Sequence, residues 1–336
     1  MALASNIATL ADWAKRLDPD GKVPEIVELL NQTNEVLDDM LFMEGNLPTG
    51  HRVTVRTGLP SVAWRLLNGG VLPSKSTTAQ IDEACGMLEA WSEVDKDLAE
   101  LNGNVGAFRL SEAKAFIEAM NQEMASTLFY GNSSISPEEF TGLSVRYSDL
   151  DATNGQNIVN GGGAGGAEHS SIWLVVWGAQ SIFGIFPKGS KAGLQHDDLG
   201  LETVENTAGI GGSRMLAYRE RWQWKCGIAL KDWRFVVRGA NIDVSNLVAK
   251  SSAADLIEMM IKMIHRIGPA NLRLGKPVFY MNRTLFQMLD IARRDDVAAG
   301  GGLVYNDVDG NISYSFRGVP IKICDALLET EAAVTT

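Results

Sequence analysis

Residues 51–78 read HRVTVRTGLPSVAWRLLNGGVLPSKSTT, and this stretch contains no acidic residue although the chain has a formal net charge of −11. Two extended runs flank a Gly69-Gly70 turn signal, which predicts a long β-excursion out and back. Folded double, it would reach roughly 40 Å at about 3.3 Å per residue. A compact chain of this length has a radius of gyration of only about 20 Å. We therefore expect a basic arm that extends beyond its own domain.

A strongly acidic segment follows this arm, with seven acidic residues and one lysine between Asp82 and Glu100. A basic arm next to an acidic segment predicts that the arm of one copy lies on the acidic segment of a neighbouring copy. Head-to-tail contacts of this kind close into rings or shells. The candidate inter-subunit contact residues are Arg52, Arg56, Trp64, Arg65, Leu66, Leu67, Lys75, Asp82, Glu83, Glu89 and Glu93.

The composition limits the class of protein. The 336 residues, 45% of them hydrophobic, suffice for one large domain or two medium ones. Three widely spaced cysteines favour a reducing compartment and argue against a disulfide framework or a zinc ribbon. No signal peptide or membrane span is predicted. The acidity disfavours a protein whose main role is to bind nucleic acid.

Hydrophobic periodicity predicts helices in the first half of the chain. The most distinct is a spine helix over Ser111–Tyr130, with Ser111 as N-cap and Gly131 following its end. The same spacing predicts helices over Leu10–Leu17, Pro24–Leu41 and Ala79–Leu101.

The second half is predicted to be rich in β-structure, with two tryptophan-containing blocks at 171–189 and 216–242. From about Asn241 onward the pattern changes to a small α/β layer. Its predicted elements are a helix over Ser252–Ile267, a strand over 276–281, a helix over Thr284–Arg294, a hairpin turning on Asp309-Gly310 and a final strand over 318–324.

No chemistry-bearing constellation emerges, so no catalytic, cofactor-binding or metal-binding residue is predicted and the chain is not expected to be an enzyme. Gly161-x-Gly163-x-x-Gly166 fits the spacing of a dinucleotide fingerprint but lacks the helix that must follow it. Asp307-x-Asp309-x-Asn311 starts like a calcium loop, but Gly318 stands where the bidentate glutamate is needed. A nucleotide-dependent α/β oxidoreductase that uses the Gly161 loop is the remote alternative.

The order of these features resembles a known family. The chain resembles the tailed-bacteriophage major capsid proteins in the order of its features. These are the basic arm, the spine helix, the phrase YGNSSISPEEFTGL (Tyr130–Leu143), a strand, the MNR helix, the hairpin and the phrase GVPIKICDAL. The resemblance covers nearly the whole chain and is closest to the short-tailed-phage subgroup with the Hong Kong-type capsid fold. It implies an α+β fold with an N-terminal arm (1–49), an extended loop (50–83), a peripheral domain with the spine helix (84–167), a sheet segment of that domain (168–240) and an axial domain with a return strand (241–336).

In this family the axial block usually precedes the tryptophan-rich sheet block, whereas here it follows it. We interpret this reversal as a permuted strand order of the same fold.

The resemblance also implies a function: a major capsid protein that assembles through pentamers and hexamers into an icosahedral shell around double-stranded DNA. Its implied partners are other copies of itself, a separate scaffolding protein, a portal, a decoration protein and the packaged DNA through non-specific contact, with no membrane. Its implied location is the virion capsid, assembled in the host bacterial cytoplasm. An encapsulin-like nanocompartment shell protein is the alternative within the same fold.

Overall fold

The computed structural model describes residues 32–101, 104–163, 165–166, 168–205, 214–251, 254–295, 303–308 and 311–335, with backbone alone at 293–295, 303–308 and 311–313. These residues form two compact units. The smaller unit comprises, among the described residues, Gln32 and the described parts of Met87–Met124 and Gly193–Lys225. The larger unit contains Thr33–Gly86, Ala125–Ala192 and the chain from Cys226 onward.

Strands dominate the described chain. They are β1 (Phe42–Glu44), β2 (Gly50–Gly58), β3 (Thr77–Ala84), β4 (Gly86–Asp95), β5 (Ile158–Asn160), β6 (His169–Trp177), β7 (Ile182–Phe186), β8 (Leu194–Glu205), β9 (Arg214–Leu230), β10 (Val236–Asp243), β11 (Lys276–Met281), β12 (Leu303–Val308), β13 (Asn311–Phe316) and β14 (Val319–Ile323). The helices are α1 (Val36–Asp39), α2 (Lys96–Glu100), α3 (Val105–Tyr130), α4 (Leu143–Arg146), α5 (Val244–Ala249), α6 (Leu256–Ile267), α7 (Pro269–Leu272) and α8 (Arg283–Asp295).

The smaller unit packs most of α3 against a sheet in which β9 lies between β4 and β8. Phe116 of the helix stacks on Trp222 of β9 with the ring centroids 5.2 Å apart. Ala113 and Met120 complete this contact from the helix side. Because α3 has 26 residues, it extends over about 39 Å at 1.5 Å per residue.

The predicted spine helix is confirmed, but it begins six residues earlier than Ser111. The side chain of Asn104 accepts a hydrogen bond from the backbone N–H of Ala107 at 3.1 Å, which is N-cap geometry. The additional turn buries Phe108 against Val94 and Ala99. Asn104 therefore caps the helix, and Ser111 lies within it.

The helix predicted over Ala79–Leu101 is wrong, because this segment forms β3, β4 and the short α2. Leu88 and Trp91 match helical spacing, but the burial of β4 alternates with a period of two. Trp91 is consequently exposed, and its ring lies under the Arg219 guanidinium at 4.8 Å. Pairing with neighbouring strands determines the structure here.

The larger unit is built on a mixed sheet with the strand order β12-β13-β14-β11-β6-β7 followed by the end of β9. β10 pairs with β6 as well, antiparallel. Helix α6 covers one face, burying Met259, Met260 and Met263 against β6, β10 and β11. Asp255 caps this helix by accepting from the N–H of Glu258 at 2.9 Å.

The predicted boundary between a sheet segment (168–240) and a separate axial layer (241–336) is wrong. Strand β6 pairs antiparallel with β11, with Val175 opposite Val278, so both segments contribute to one sheet. Only residues 193–225 of the first segment belong to the smaller unit. The predicted peripheral domain (84–167) is likewise divided after Met124. The permuted strand order was inferred from the order of the two blocks along the chain, and it stays a prediction.

The individual elements predicted for the last third are confirmed. Strand β11 has the predicted limits, and β12 and β13 pair as a hairpin with Val308 opposite Asn311. The turn residues 309–310 themselves lie outside the described residues.

The N-terminal segment is described from residue 32, so the helix predicted over Leu10–Leu17 lies outside the described residues. Of the helix predicted over Pro24–Leu41, the described part is helical only at α1. Asp39, at the end of α1, is buried and accepts hydrogen bonds from Lys276, Lys322 and Tyr280. These contacts fix the described start of the chain to β11 and β14.

We expect the Asp39 anchor to be lost in acid. Burial raises the pKa of the Asp39 carboxyl, but the hydrogen bonds from Lys276, Lys322 and Tyr280 outweigh it and lower the pKa below its ordinary value of 3.8. A group whose pKa is lower in the folded state stabilises the fold above its unfolded pKa and loses this effect as pH falls through the folded value. Asp39→Asn should therefore lower the thermal midpoint near neutral pH, with the difference from the unsubstituted chain shrinking below about pH 4.

The exposed neighbour Asp38 provides the control, since Asp38→Asn should leave the midpoint unchanged across this range. A difference for Asp39→Asn that is constant from neutral to strongly acid pH would contradict the assignment.

Candidate interaction surface

The basic arm predicted from residues 51–78 is confirmed as a two-stranded excursion. β2 and β3 pair antiparallel from Gly50 opposite Ala84 to Gly58 opposite Thr77. The chain between them turns at Leu66–Gly69, where the Gly69 N–H donates to the Leu66 carbonyl at 3.0 Å. Asn68 adopts a φ of 64° in this turn, so the tight turn falls just before the Gly69-Gly70 pair.

The root of the arm is fixed to the larger unit by packing and by a buried ion pair. Val53 packs in a cluster with Phe183, Ile185 and Ala229. Arg146 of α4 holds Glu83 of β3 in a two-pronged contact, with both N–O distances 2.6 Å. The root of the arm is therefore held in place on the larger unit.

We define the arm tip as residues 59–76, and it is almost entirely exposed. Trp64 and Leu67 are 104% and 94% exposed, so neither side chain is part of the hydrophobic core of its own subunit. Contiguous apolar patches on a soluble protein mark surfaces that contact another molecule. The exposed apolar side chains of the tip are Leu59, Val62, Trp64, Leu66, Leu67, Val71 and Leu72.

The charged candidates of the arm differ in whether their charge is already paired. Within the described residues, Arg56, Arg65 and Lys75 are exposed and form no salt bridge. Arg52 instead pairs across the ladder with Asp82, with Nε 2.6 Å from Oδ1 and a terminal nitrogen 2.7 Å from Oδ2. The hydrogen bond from Arg52 lowers the pKa of the Asp82 carboxyl.

The acidic candidates are less available than the sequence indicated. Glu83 is buried and fully engaged by Arg146, so its carboxylate cannot receive a neighbour's arm in this conformation. Glu89 accepts from the Trp91 indole at 2.7 Å and from the Gln223 amide at 2.6 Å. Glu93 pairs with Arg219 at 3.0 Å. Since Arg146, Gln223 and Arg219 are distant in sequence from the acids they contact, charge counting alone did not reveal them.

Sequence reasoning missed a second polar cluster in the smaller unit. Arg109 of α3 contacts both Glu220 and Asp198, at 2.6 and 2.7 Å. His196 stacks on Trp222 at 5.1 Å and contacts Glu220 at 3.1 Å. His196 lies in β8, which spans Leu194–Glu205. This cluster holds α3 on the sheet.

The structure describes the two weak motifs to different extents, because Asp309 of the calcium-like motif lies outside the described residues. The glycine motif follows the short β5, and the next element among the described residues is β6, so no described helix begins here to bind a pyrophosphate at its N-terminus. Across the described residues, no three His, Cys, Asp or Glu side chains lie close enough together to hold a metal ion. In the same residues, no helix has the length and apolar character needed to span a membrane.

Comparison with known proteins finds solved structures that are similar to this chain. The chain matches a structure of bacteriophage Epsilon15 with 32% identity, 100% of both chains covered and a TM-score of 0.80. More distant matches are structures of Mycobacterium phage Adephagia (10% identity, 69% and 97% covered, TM-score 0.42) and of the SrpI encapsulin complex from Synechococcus elongatus (13%, 70% and 97%, 0.41). No curated protein matches the chain.

The family description that matches is "Major capsid protein GP7", and the match runs from residue 18 to residue 335. This interval contains nearly the whole chain, including the arm, α3 and both sheets. The chain therefore belongs to the family of the phage major capsid protein GP7.

Proposed function

We propose that this chain is the shell subunit of a virus head and that its arm tip lies on a neighbouring copy. The observation that carries the proposal is the exposed apolar tip on an arm whose root is fixed. A fixed root with an apolar end suits a contact outside the subunit, because no core cluster among the described residues includes a side chain of the tip. Copies joined in this way form the pentamers and hexamers of a closed icosahedral shell.

Apolar burial supplies the energy of this contact. Each fully buried side chain of the tip contributes roughly 1.5–3 kcal/mol. Exposed ion pairs from Arg56, Arg65 and Lys75 contribute at most about 1 kcal/mol each, so they set the register more than the affinity.

The further partners belong to the proposal as well. The net charge of −11 suits a container wall that encloses double-stranded DNA with only non-specific contact. A portal and a decoration protein complete the expected virion, and assembly takes place in the host bacterial cytoplasm. We expect no catalytic activity.

Polar replacement of the tip should abolish assembly without unfolding the chain. Trp64→Ser combined with Leu67→Ser removes two of the most exposed apolar side chains, which make no contact with the core. Negative-stain microscopy should show no closed particles for this variant. Leu274→Ser is the control, since Leu274 is 69% exposed elsewhere in the larger unit and should leave particles intact. Normal particles from the double variant would contradict the proposal.

We also expect assembly to require a separate scaffolding protein. The chain expressed alone should yield capsomers or irregular aggregates, because nothing in the described residues fixes a single shell curvature. Light scattering and microscopy of the purified chain distinguish these outcomes. Closed particles of uniform diameter from the chain alone would refute this requirement.

A further inference from the structure

The edge of β2 that faces away from β3 is only partly covered. In an antiparallel ladder, successive residues direct their N–H and C=O groups to opposite edges. Gly50 bonds outward to the backbone of Leu47. Arg52 bonds outward to the side-chain amide of Asn46, which donates to its carbonyl at 2.9 Å and accepts from its N–H at 2.7 Å. Asn46 thus closes this edge in place of a strand.

Two residues further along, the same edge is open. By the alternation, Thr54 and Arg56 direct their N–H and C=O groups to this side, and no described residue bonds them there. Unpaired groups on a strand edge are a template for another extended chain. A strand laid along Thr54–Arg56 would continue the ladder that Asn46 interrupts.

The open edge lines a groove of about 850 Å³ within the larger unit. Residues 51–59 form one wall, and Gln180 with the segment Lys231–Arg234 forms the other. The lining is basic: Arg52, Arg56, Lys231 and Arg234 contribute four positive charges against the single negative charge of Asp232. Arg52 is compensated by Asp82 and Arg234 by Asp232, whereas Arg56 has no acidic partner among the described residues.

We propose that this groove binds an extended, acidic peptide segment of another protein, which pairs as a strand with Thr54 and Arg56. Main-chain hydrogen bonds would give affinity, and the lining cations would select acidic side chains. The acidic runs of the chain itself at 82–100 and 197–205 lie in strands and helices that already have partners, so they are not available to fill it. The groove belongs to one copy, and the proposal therefore does not depend on shell formation.

The test uses the full chain and a fluorescein-labelled peptide, Val-Glu-Val-Asp-Val-Glu-Val, followed by fluorescence anisotropy. We expect saturable binding that weakens between about 0.1 M and about 0.5 M salt, because the contact is partly ionic. The same peptide with lysine at each acidic position should not bind.

Two variants separate charge from backbone pairing. Arg56→Glu should weaken binding by about tenfold or more, because it replaces an attractive charge with a repulsive one. Thr54→Pro removes one outward N–H from an edge strand and should also weaken binding about tenfold, whereas Thr54→Ala should not. Arg65→Glu changes charge by the same amount at the arm tip, outside the groove, and should have little effect. Circular dichroism and thermal midpoints establish that each variant is folded.

Failure of the acidic peptide to bind the unsubstituted chain would overturn the proposal, as would equal affinities for Arg56→Glu and Arg65→Glu. Displacement of the probe by a peptide with the sequence of residues 1–31 would assign the groove to this chain and would also overturn it. The proposal is supported if Arg56→Glu and Thr54→Pro lose binding while Arg65→Glu and Thr54→Ala keep it.

Discussion

Removing Ser61 to Ser74 is expected to leave a folded chain that forms no shells. Every residue in this segment is exposed, so its loss takes nothing from either core. The two ends of the deletion are close, since the Ser74 hydroxyl donates to the Ser61 carbonyl at 2.8 Å. An Asn-Gly link can therefore rejoin them as a hairpin turn and preserve the β2–β3 ladder.

The readouts are circular dichroism, the thermal midpoint and negative-stain microscopy under conditions where the unmodified chain assembles. We expect an unchanged spectrum, an unchanged midpoint and no closed particles. A second variant in which Gly and Ser replace the same 14 residues retains the length and removes the apolar chemistry. Both variants should fail to assemble if burial of the tip drives the contact, and normal particles from either one would refute this mechanism.

The second large effect is a loss of stability, and it is expected when Glu331 in the C-terminal segment is replaced. Glu331 and Arg238 form an ion pair at 2.9 Å, and both side chains are about 95% buried. Tyr130 and Ser171 donate to the same carboxylate, and Arg238 also donates to the Tyr147 carbonyl at 2.8 Å. Burial and the adjacent Glu331 charge raise the pKa of Tyr130 well above its ordinary value, which keeps this donor protonated.

Glu331→Ala should lower the free energy of unfolding by about 3–5 kcal/mol, because it leaves the Arg238 guanidinium buried without a counter-charge. Denaturant unfolding of the unassembled chain measures this loss. Glu329→Ala, two residues away and without an ion pair among the described residues, is the control and should change stability by less than about 0.5 kcal/mol.

Replacing both partners, as in Arg238→Met with Glu331→Leu, should recover most of the loss, since an apolar pair of similar volume avoids the unpaired charge. Equal unfolding midpoints for Glu331→Ala and Glu329→Ala would show that the network does not hold the C-terminal segment.

The parts of the fold that could be predicted from sequence are those with a local signal. The arm follows from its acid-free extended runs and turn residues, and α3 follows from its periodic apolar face. The pairing of β12 with β13 follows from the Asp309-Gly310 turn signal that the sequence places between them. In each case the signal and the structure lie within about 30 residues of each other, so composition and periodicity are sufficient.

The parts that could not be predicted depend on partners distant in sequence. Segment 79–101 has helical spacing, yet its ladders with β2 and β9 make it extended. The boundary near Asn241 fails because β6 pairs with β11 about a hundred residues later. Glu83 resembles a surface acid in the sequence, but Arg146 lies 63 residues away in sequence and encloses it. Long-range pairing leaves no local signal in a single sequence.

The central claim is that the arm of one subunit is completed by its neighbour, and cryo-electron microscopy of assembled particles tests it most directly. The measured quantity is the solvent exposure of Trp64, Leu66 and Leu67 in the assembly. We predict that all three are buried against a second copy while Val53 and Glu83 keep their contacts within the chain. An arm tip that remains in solvent, or that folds back onto its own subunit, would contradict the account.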